Sequence, residues 1–319
     1  MNSLEPLFFT SKTIKKEDIR SLIFAKLGFK VMDKLIMGLA KGNLTIVSGL
    51  PGSGKSIWLS QMALELVEQG EKVAMFSGEL TSSIVLSWLQ TQAAGRDKTI
   101  ATDYADYFKV DNFTIDLIND WLEQQLFVYN NKYGNNHNDV LEAMKICIEQ
   151  KGCRTIILDN LMTLDISKIP GNSIYEKQSG FFKLLKIFAR DNDIHVIIVA
   201  HPRKPAGFLR VEDILGTADI RALADNIWLV HRVNDDFKRA SKQDMSWKDG
   251  NSLYEFGNIV EIAKSRFNGS SMGSFVGFYY EIETKRFLSS RDEYKHYKWE
   301  TEKDNLTFAD TTVNMPFDL

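Results

Sequence analysis

The sequence predicts an α/β protein built on a mostly parallel sheet, and three observations carry that expectation. Short apolar, β-branched runs alternate with amphipathic stretches along most of the chain. One of those runs leads into a glycine-rich turn and then a helical pattern around residues 44–67. Three chemically capable residues, Glu79, Asp159 and His201, each stand at the C-terminal end of an apolar run, where open parallel sheets gather their ligands.

The glycine-rich turn reads Gly49-Leu50-Pro51-Gly52-Ser53-Gly54-Lys55-Ser56, the pattern G-x-x-x-x-G-K-S. Leu44 to Ser48 before it suit a buried strand, and Ile57 to Val67 after it carry apolar residues at helical spacing. Strand, turn and helix in that order form the setting of a phosphate-binding loop. Gly49, Pro51, Gly52, Ser53 and Gly54 shape a turn whose backbone N–H groups converge on phosphate oxygens, at the positive end of a helix dipole. Lys55 is placed to reach the β- and γ-phosphates, and the Ser56 hydroxyl to ligate Mg²⁺. A chance glycine-rich turn is the plain alternative, and the matched flanks argue against it.

Composition narrows the remainder. The 319 residues suffice for one large domain with appendages, with 44% hydrophobic and 25% charged residues as in ordinary globular proteins. A net charge of −3 excludes a globally basic nucleic-acid binder, so any basic surface has to be local. Val196 to Ala200 is too short to span a bilayer, and no membrane association is expected. The two cysteines, Cys147 and Cys153, lack metal-site spacing and suggest reduced thiols. With no signal-like start, the chain is expected in a cytoplasm.

In order, a helix is expected from Lys15 to Leu27, capped by Thr13, with Ile19, Leu22, Ile23 and Leu27 on its apolar face. Its partner is either its own core or a neighbouring subunit. Strands are expected at 72–77, 126–129, 155–159, 194–200, 226–230 and 258–263, with a closing hairpin at 275–288. Helices are expected at 84–91, at 140–150 with Asp139 as cap, at 173–191, and at 218–224. Residues 95–120 read as a mixed segment that holds shorter helices. The domain division is 1–28 as an N-terminal segment, 29–290 as the core, and 291–319 as an acidic tail.

Asp159 follows Thr155-Ile156-Ile157-Leu158, the Walker B arrangement of a rigid strand presenting a carboxylate to Mg²⁺. Glu79 is placed to polarise an attacking water, with an exposed loop acid as the bland alternative. His201 is placed to hydrogen-bond a γ-phosphate. Lys264 and Arg266 alternate after a strand, so both side chains would face one polyanion, or else form a solvated basic patch.

These segments together resemble the RecA-type motor domain of hexameric replicative helicases, the DnaB class, and more closely its Twinkle and phage helicase-primase branches. The resemblance covers residues 28–290. Gly28 to Leu35 is similar to the lead-in to the phosphate loop, Phe76-Ser77-Gly78-Glu79-Leu80 to the catalytic-glutamate segment, and Ile156 to Leu161 to Walker B. Val199 to Lys204 resembles the sensor motif, Asp213 to Ala218 with Ala224-Asp225-Asn226 the DNA-facing loop and its helix, and Lys264 to Gly269 the finger motif, with Arg266 at the finger position. Two departures stand out: no priming or zinc-binding region precedes residue 28, and Gly78 occupies a position where relatives often carry a bulkier residue.

The resemblance implies a RecA-like fold with helices on both faces, ATP and Mg²⁺ as ligands, and a homo-oligomer, a hexamer, threaded on single-stranded DNA. It implies 5′-to-3′ translocation and duplex unwinding, with Lys55, Glu79, His201, Lys264 and Arg266 as catalytic residues. DNA would be held by Lys168 and Lys177 in the loop after Asp159, by Arg203, Lys204 and Arg210 after His201, and by Gly216 and Thr217, whose small size lets backbone N–H groups approach phosphate. The tail ending Asn314-Met315-Pro316-Phe317-Asp318-Leu319 is similar to phage helicase tails that contact a polymerase, and a solubilising end is the duller explanation. Two rivals stay open: a recombinase-like filament ATPase, and a nucleotide-gated scaffold or loader that unwinds nothing.

Overall fold

The computed structural model describes residues 9–203, 207–214, 218–243 and 250–300. Its first element is a four-residue helix, α1 (Ile19–Leu22), whose N-cap is Asp18. The long helix expected from Lys15 to Leu27 does not form. Ile23 to Ala25 instead make strand β1, antiparallel to β2 (Leu39–Ala40), so β-pairing overrides a helical spacing that Ile23 and Leu27 also satisfy. Thr13 is used in a turn with Thr10 and caps nothing. Between the two strands lies α2 (Lys30–Ile36), and Asp33 folds its carboxylate back onto the N–H groups of Leu27 and Gly28 at 2.6 and 3.0 Å.

Then follow β3 (Asn43–Ser48), α3 (Lys55–Glu68), β4 (Val73–Ser77) and α4 (Ser82–Ala94). Residues 95–120, expected as a mixed segment with shorter helices, hold a 3-10 turn at Arg96–Lys98, a small antiparallel pair, β5 (Thr99–Ala101) and β6 (Phe108–Val110), and most of α5 (Asn112–Leu122). Strand β7 (Leu126–Val128) precedes α6 (His137–Ile146). The cap of α6 is Asn136, whose side chain accepts from Asn138 N, so this helix begins before Asp139. Strand β8 (Thr155–Asp159), α7 (Ile174–Asp191) with its Ser173 cap, and β9 (His195–Val199) fall where expected. The remaining elements are α8 (Ala218–Leu223), β10 (Asn226–Arg232), α9 (Asp235–Gln243), β11 (Asn258–Ser265), β12 (Ser274–Glu281) and β13 (Arg286–Leu288).

Among the described residues, one sheet runs in the order β13-β12-β11-β10-β3-β9-β8-β4-β7. It is parallel from β10 to β7 and antiparallel from β10 to β13. Its alternating side chains feed two cores. Ile46, Phe76, Leu158 and Ile198 pack with Phe181, Phe182 and Leu185 of α7. Val47, Met75, Ile157 and Val199 pack on the other face with Trp58, Leu59 and Met62 of α3. Helices therefore cover both faces, and the strand ends of β3, β9, β8 and β4 lie side by side.

Residues 291–299, expected in the tail, stay on the core. Tyr297 and Trp299 are buried beside Leu64, Leu89 and Ala93 of α3 and α4. Tyr297 donates to Glu65 at 2.9 Å, and Trp299 Nε1 donates to the Ala93 carbonyl at 3.1 Å. Among the described residues no helix is long and apolar enough to cross a membrane.

Candidate nucleotide and nucleic-acid site

The phosphate loop bridges the end of β3 and the start of α3. Gly54 takes φ +90° as the helix cap, and a Cβ there would sit 2.9 Å from the Phe287 ring, so both conformation and space require glycine. Asn258, on β11, braces the loop by donating to the Ser53 carbonyl at 2.8 Å. Lys55 Nζ donates to the carbonyls of Gly49 and Leu50 at 2.9 and 3.1 Å. Burial lowers the Lys55 pKa, and the nearby Asp159 and Glu79 charges pull it back up. Burial raises the Asp159 pKa, and a bond from the Ser56 hydroxyl opposes that.

These residues fit a nucleoside triphosphate with Mg²⁺. Among the described residues the buried Ser53 hydroxyl has no hydrogen-bond partner, a donor left over at the centre of the cradle. Ser56 and Asp159 touch, giving one hydroxyl and one carboxylate, the sparse protein donor set that Mg²⁺ takes when phosphates and waters complete its shell. A cavity of about 760 Å³ opens beside Leu50 to Ser53, with Arg203, Phe208 and Arg232 on its far wall.

Glu79, Asp159 and His201 stand at the ends of the adjacent strands β4, β8 and β9, as their sequence positions suggest. His201 Nε2 lies 3.1 Å from Glu79 Oε1. Between them sits Asn160, fully buried, which donates to Glu79 Oε1 and lies 2.9 Å from His201 Nε2. Sequence reading gave Asn160 no role. Its only signal was a polar residue directly after the strand carboxylate. Gly78 packs against Thr163, where a Cβ would lie 2.0 Å from Oγ1, so nothing bulkier fits with Thr163 in place.

Lys264 and Arg266 share a neighbourhood and take different partners. Lys264 Nζ donates to the Arg221 and Ala222 carbonyls at the end of α8, and burial, then the Arg266 charge, lowers its pKa. Arg266 Nε lies 2.8 Å from Asp225 Oδ1 with half its side chain exposed. Asp225, also given no role from sequence, accepts from Leu44 N and pairs with Lys186.

Of the DNA-loop residues, Lys168 is exposed and Lys177 donates to the Ser167 carbonyl at 2.7 Å. The Arg203 guanidinium lies 5.5 Å from the Tyr175 ring centroid, which brings the loop after β9 against the start of α7, and Arg210 lies over Phe208. Lys204, Gly216 and Thr217 lie outside the described residues, as does the tail beyond residue 300. Tyr279 lies under the Arg291 guanidinium and against Phe256, and Tyr280 packs edge-on to Phe287.

The family model for the DnaB-like helicase C-terminal domain matches residues 25–289. The chain belongs to that family. The Twinkle homolog protein, chloroplastic/mitochondrial, of Arabidopsis thaliana is 28% identical over 220 residues, 66% of this chain and 30% of that protein. The DNA repair protein RadA of Helicobacter pylori is 28% identical over 170 residues, 52% of this chain and 30% of RadA. The chain thus spans about 30% of the length of these curated relatives. Among solved structures, a DnaB-like replicative helicase described with its primase interactions superposes with a TM-score of 0.64 at 20% identity, covering 82% of this chain and 60% of that one. The RadB recombinase superposes with a TM-score of 0.53 at 15% identity, over 82% and 98%. The fold of this family member is the RecA-like one expected from its motifs.

Proposed function

We propose that this chain is the ATP-driven motor of a ring-forming replicative DNA helicase, a hexamer that moves 5′ to 3′ on single-stranded DNA and unwinds duplex. The convergence of Lys55, Ser56 and Asp159 with the Glu79–His201 pair at adjacent strand ends carries this reading. Lys55 leaves its loop carbonyls to hold the β- and γ-phosphates. Ser56 and Asp159 hold Mg²⁺, which supplies charge neutralisation on the phosphate oxygens. Glu79 accepts a proton from the attacking water, and His201, one strand away, contacts the γ-phosphate and registers its loss. Arg266 reaches the triphosphate of the neighbouring subunit, with Lys264 fixed behind it. The residues Lys168, Arg203, Lys204, Arg210, Gly216 and Thr217 line the ring channel, where repetition makes a basic surface despite the net charge of −3. The acidic tail docks on a polymerase or another replisome protein, in a bacterial or phage-infected cytoplasm.

The test is unwinding of a forked duplex with a 5′ tail by purified protein with ATP and Mg²⁺, with Lys55→Ala as control. Opening by the native protein alone supports the motor. ATP hydrolysis without opening supports the scaffold instead. Likeness to RadA and RadB favours one second reading, a filament-forming ATPase, which stable filaments and strand exchange without unwinding would reveal.

A further inference from the structure

Asn160 sits between the two groups that the proposed hydrolysis needs and the loop that the proposed DNA grip needs. Its side chain is fully buried, whereas those of Glu79 and His201 are 48% and 24% exposed. Its Oδ1 accepts from Met162 N at 2.8 Å, at the start of the loop that carries Lys168. That bond fixes which way the amide faces, so both Nδ2 hydrogens turn toward Glu79 and His201. Thr163 locks the turn from the other side, donating to the Asn160 carbonyl at 2.8 Å and packing against Gly78, next to Glu79.

The three-way contact has two proton arrangements. With His201 protonated on Nδ1 alone, Nε2 accepts from Asn160, and Glu79 takes its bond from Asn160. With a proton on Nε2, His201 gives up its bond from Asn160 and donates to Glu79 Oε1 itself, 3.1 Å away. Each arrangement holds the Glu79 carboxylate toward His201. A shift of the Met162 turn drags the amide and changes that hold.

We infer that Asn160 is a positioning residue that relays engagement of the loop after β8 to Glu79, so that DNA contact sets the readiness of the carboxylate. The inference rests on the motor reading, in which Glu79 prepares the water. Asn160 touches neither substrate nor metal in this scheme and acts through Glu79 and His201.

The test compares ATP turnover with and without single-stranded DNA in native protein, Glu79→Gln, Asn160→Asp and Asn160→Ser. Both Asn160 variants keep an oxygen for Met162 N and lose the amide donor to Glu79. A fluorescent ATP analogue and thermal unfolding check that each variant folds and binds nucleotide. Asn160→Asp is expected to bind nucleotide like the native protein and to lose about 10- to 100-fold of DNA-stimulated turnover, the scale of a misplaced reacting group. It should also move the acid limb of the kcat–pH profile upward, because a second carboxylate beside Glu79 disfavours its ionised form. Asn160→Ser should lose stimulation without moving that limb, a difference that a merely structural role would not produce. Native DNA stimulation and an unshifted pH profile in both variants, with Glu79→Gln inactive, overturn the relay and leave the motor standing. A native protein that hydrolyses no ATP overturns both.

Discussion

Arg266 Nε lies 2.8 Å from Asp225 Oδ1, and Asp225 itself is 1% exposed. A buried acid thus holds Arg266 at its Nε, while half of the arginine side chain remains exposed. Asp225 in turn is anchored by Leu44 N on the strand that leads into the phosphate loop. Arg266 and the strand that leads into the phosphate loop therefore share Asp225 as a common support.

Arg266→Ala is expected to cut ATP turnover by about 10³-fold or more, the worth of an arginine supplied in trans, with nucleotide affinity nearly unchanged. Mixing it with Lys55→Ala should restore part of the turnover, because mixed rings of the proposed kind would contain some intact interfaces. Strong turnover by Arg266→Ala alone removes the finger. Asp225→Asn should leave Lys186 and Arg266 without a counter-charge and cost about 2 kcal/mol in urea unfolding, below the 3–5 of a fully buried pair because both cations are partly exposed.

Gly78→Ala places a methyl 2.0 Å from Thr163 Oγ1. The expected loss of stability is about 1–3 kcal/mol. The double variant Gly78→Ala/Thr163→Gly should lose less than the two single losses together, since the methyl would also lie 2.3 Å from the Thr163 Cβ and both clashing atoms are then gone. Simple additivity of the two losses would show that the contact is not the cause.

His195 is buried, its Nδ1 on the Ala40 carbonyl at 2.9 Å and its Nε2 on the Thr45 hydroxyl at 2.8 Å. Burial depresses its pKa to about 4. A depressed pKa means that the unfolded chain takes the proton first, so the contribution is complete above pH ~6.5 and is lost as pH falls toward 4. About 3 kcal/mol of stability should disappear across that window. His195→Gln should unfold with a smaller pH dependence there, and an identical slope would exclude His195 as the source.

Trp299→Ala removes a buried ring and its bond to the Ala93 carbonyl. A loss of about 3 kcal/mol is expected by thermal or urea unfolding. An unchanged unfolding midpoint would mean that residues after β13 do not hold the helices of the core.

Much of the site was legible because its chemistry is local. Gly54, Lys55 and Ser56 act within one turn of chain, and Asp159 needs only the apolar strand that carries it. Lys15 to Leu27 misled because Ile19, Ile23 and Leu27 satisfy a helical period while Ile23 has a strand partner at Ala40. Tyr297 and Trp299 misled because a polar, highly charged stretch surrounds two aromatic side chains that the core claims.

The sequence by itself determined the nucleotide cradle, the alternation that makes a mostly parallel sheet, and the strand ends where Glu79, Asp159 and His201 stand. The tertiary structure alone decided that Asn160 joins Glu79 across 81 residues and His201 across 41, and that Asp225 takes hold of Arg266. Strand order sets those meetings. A parallel sheet places strand ends side by side according to how the crossovers pack, and no spacing along the chain encodes which polar side chain will lie between two others.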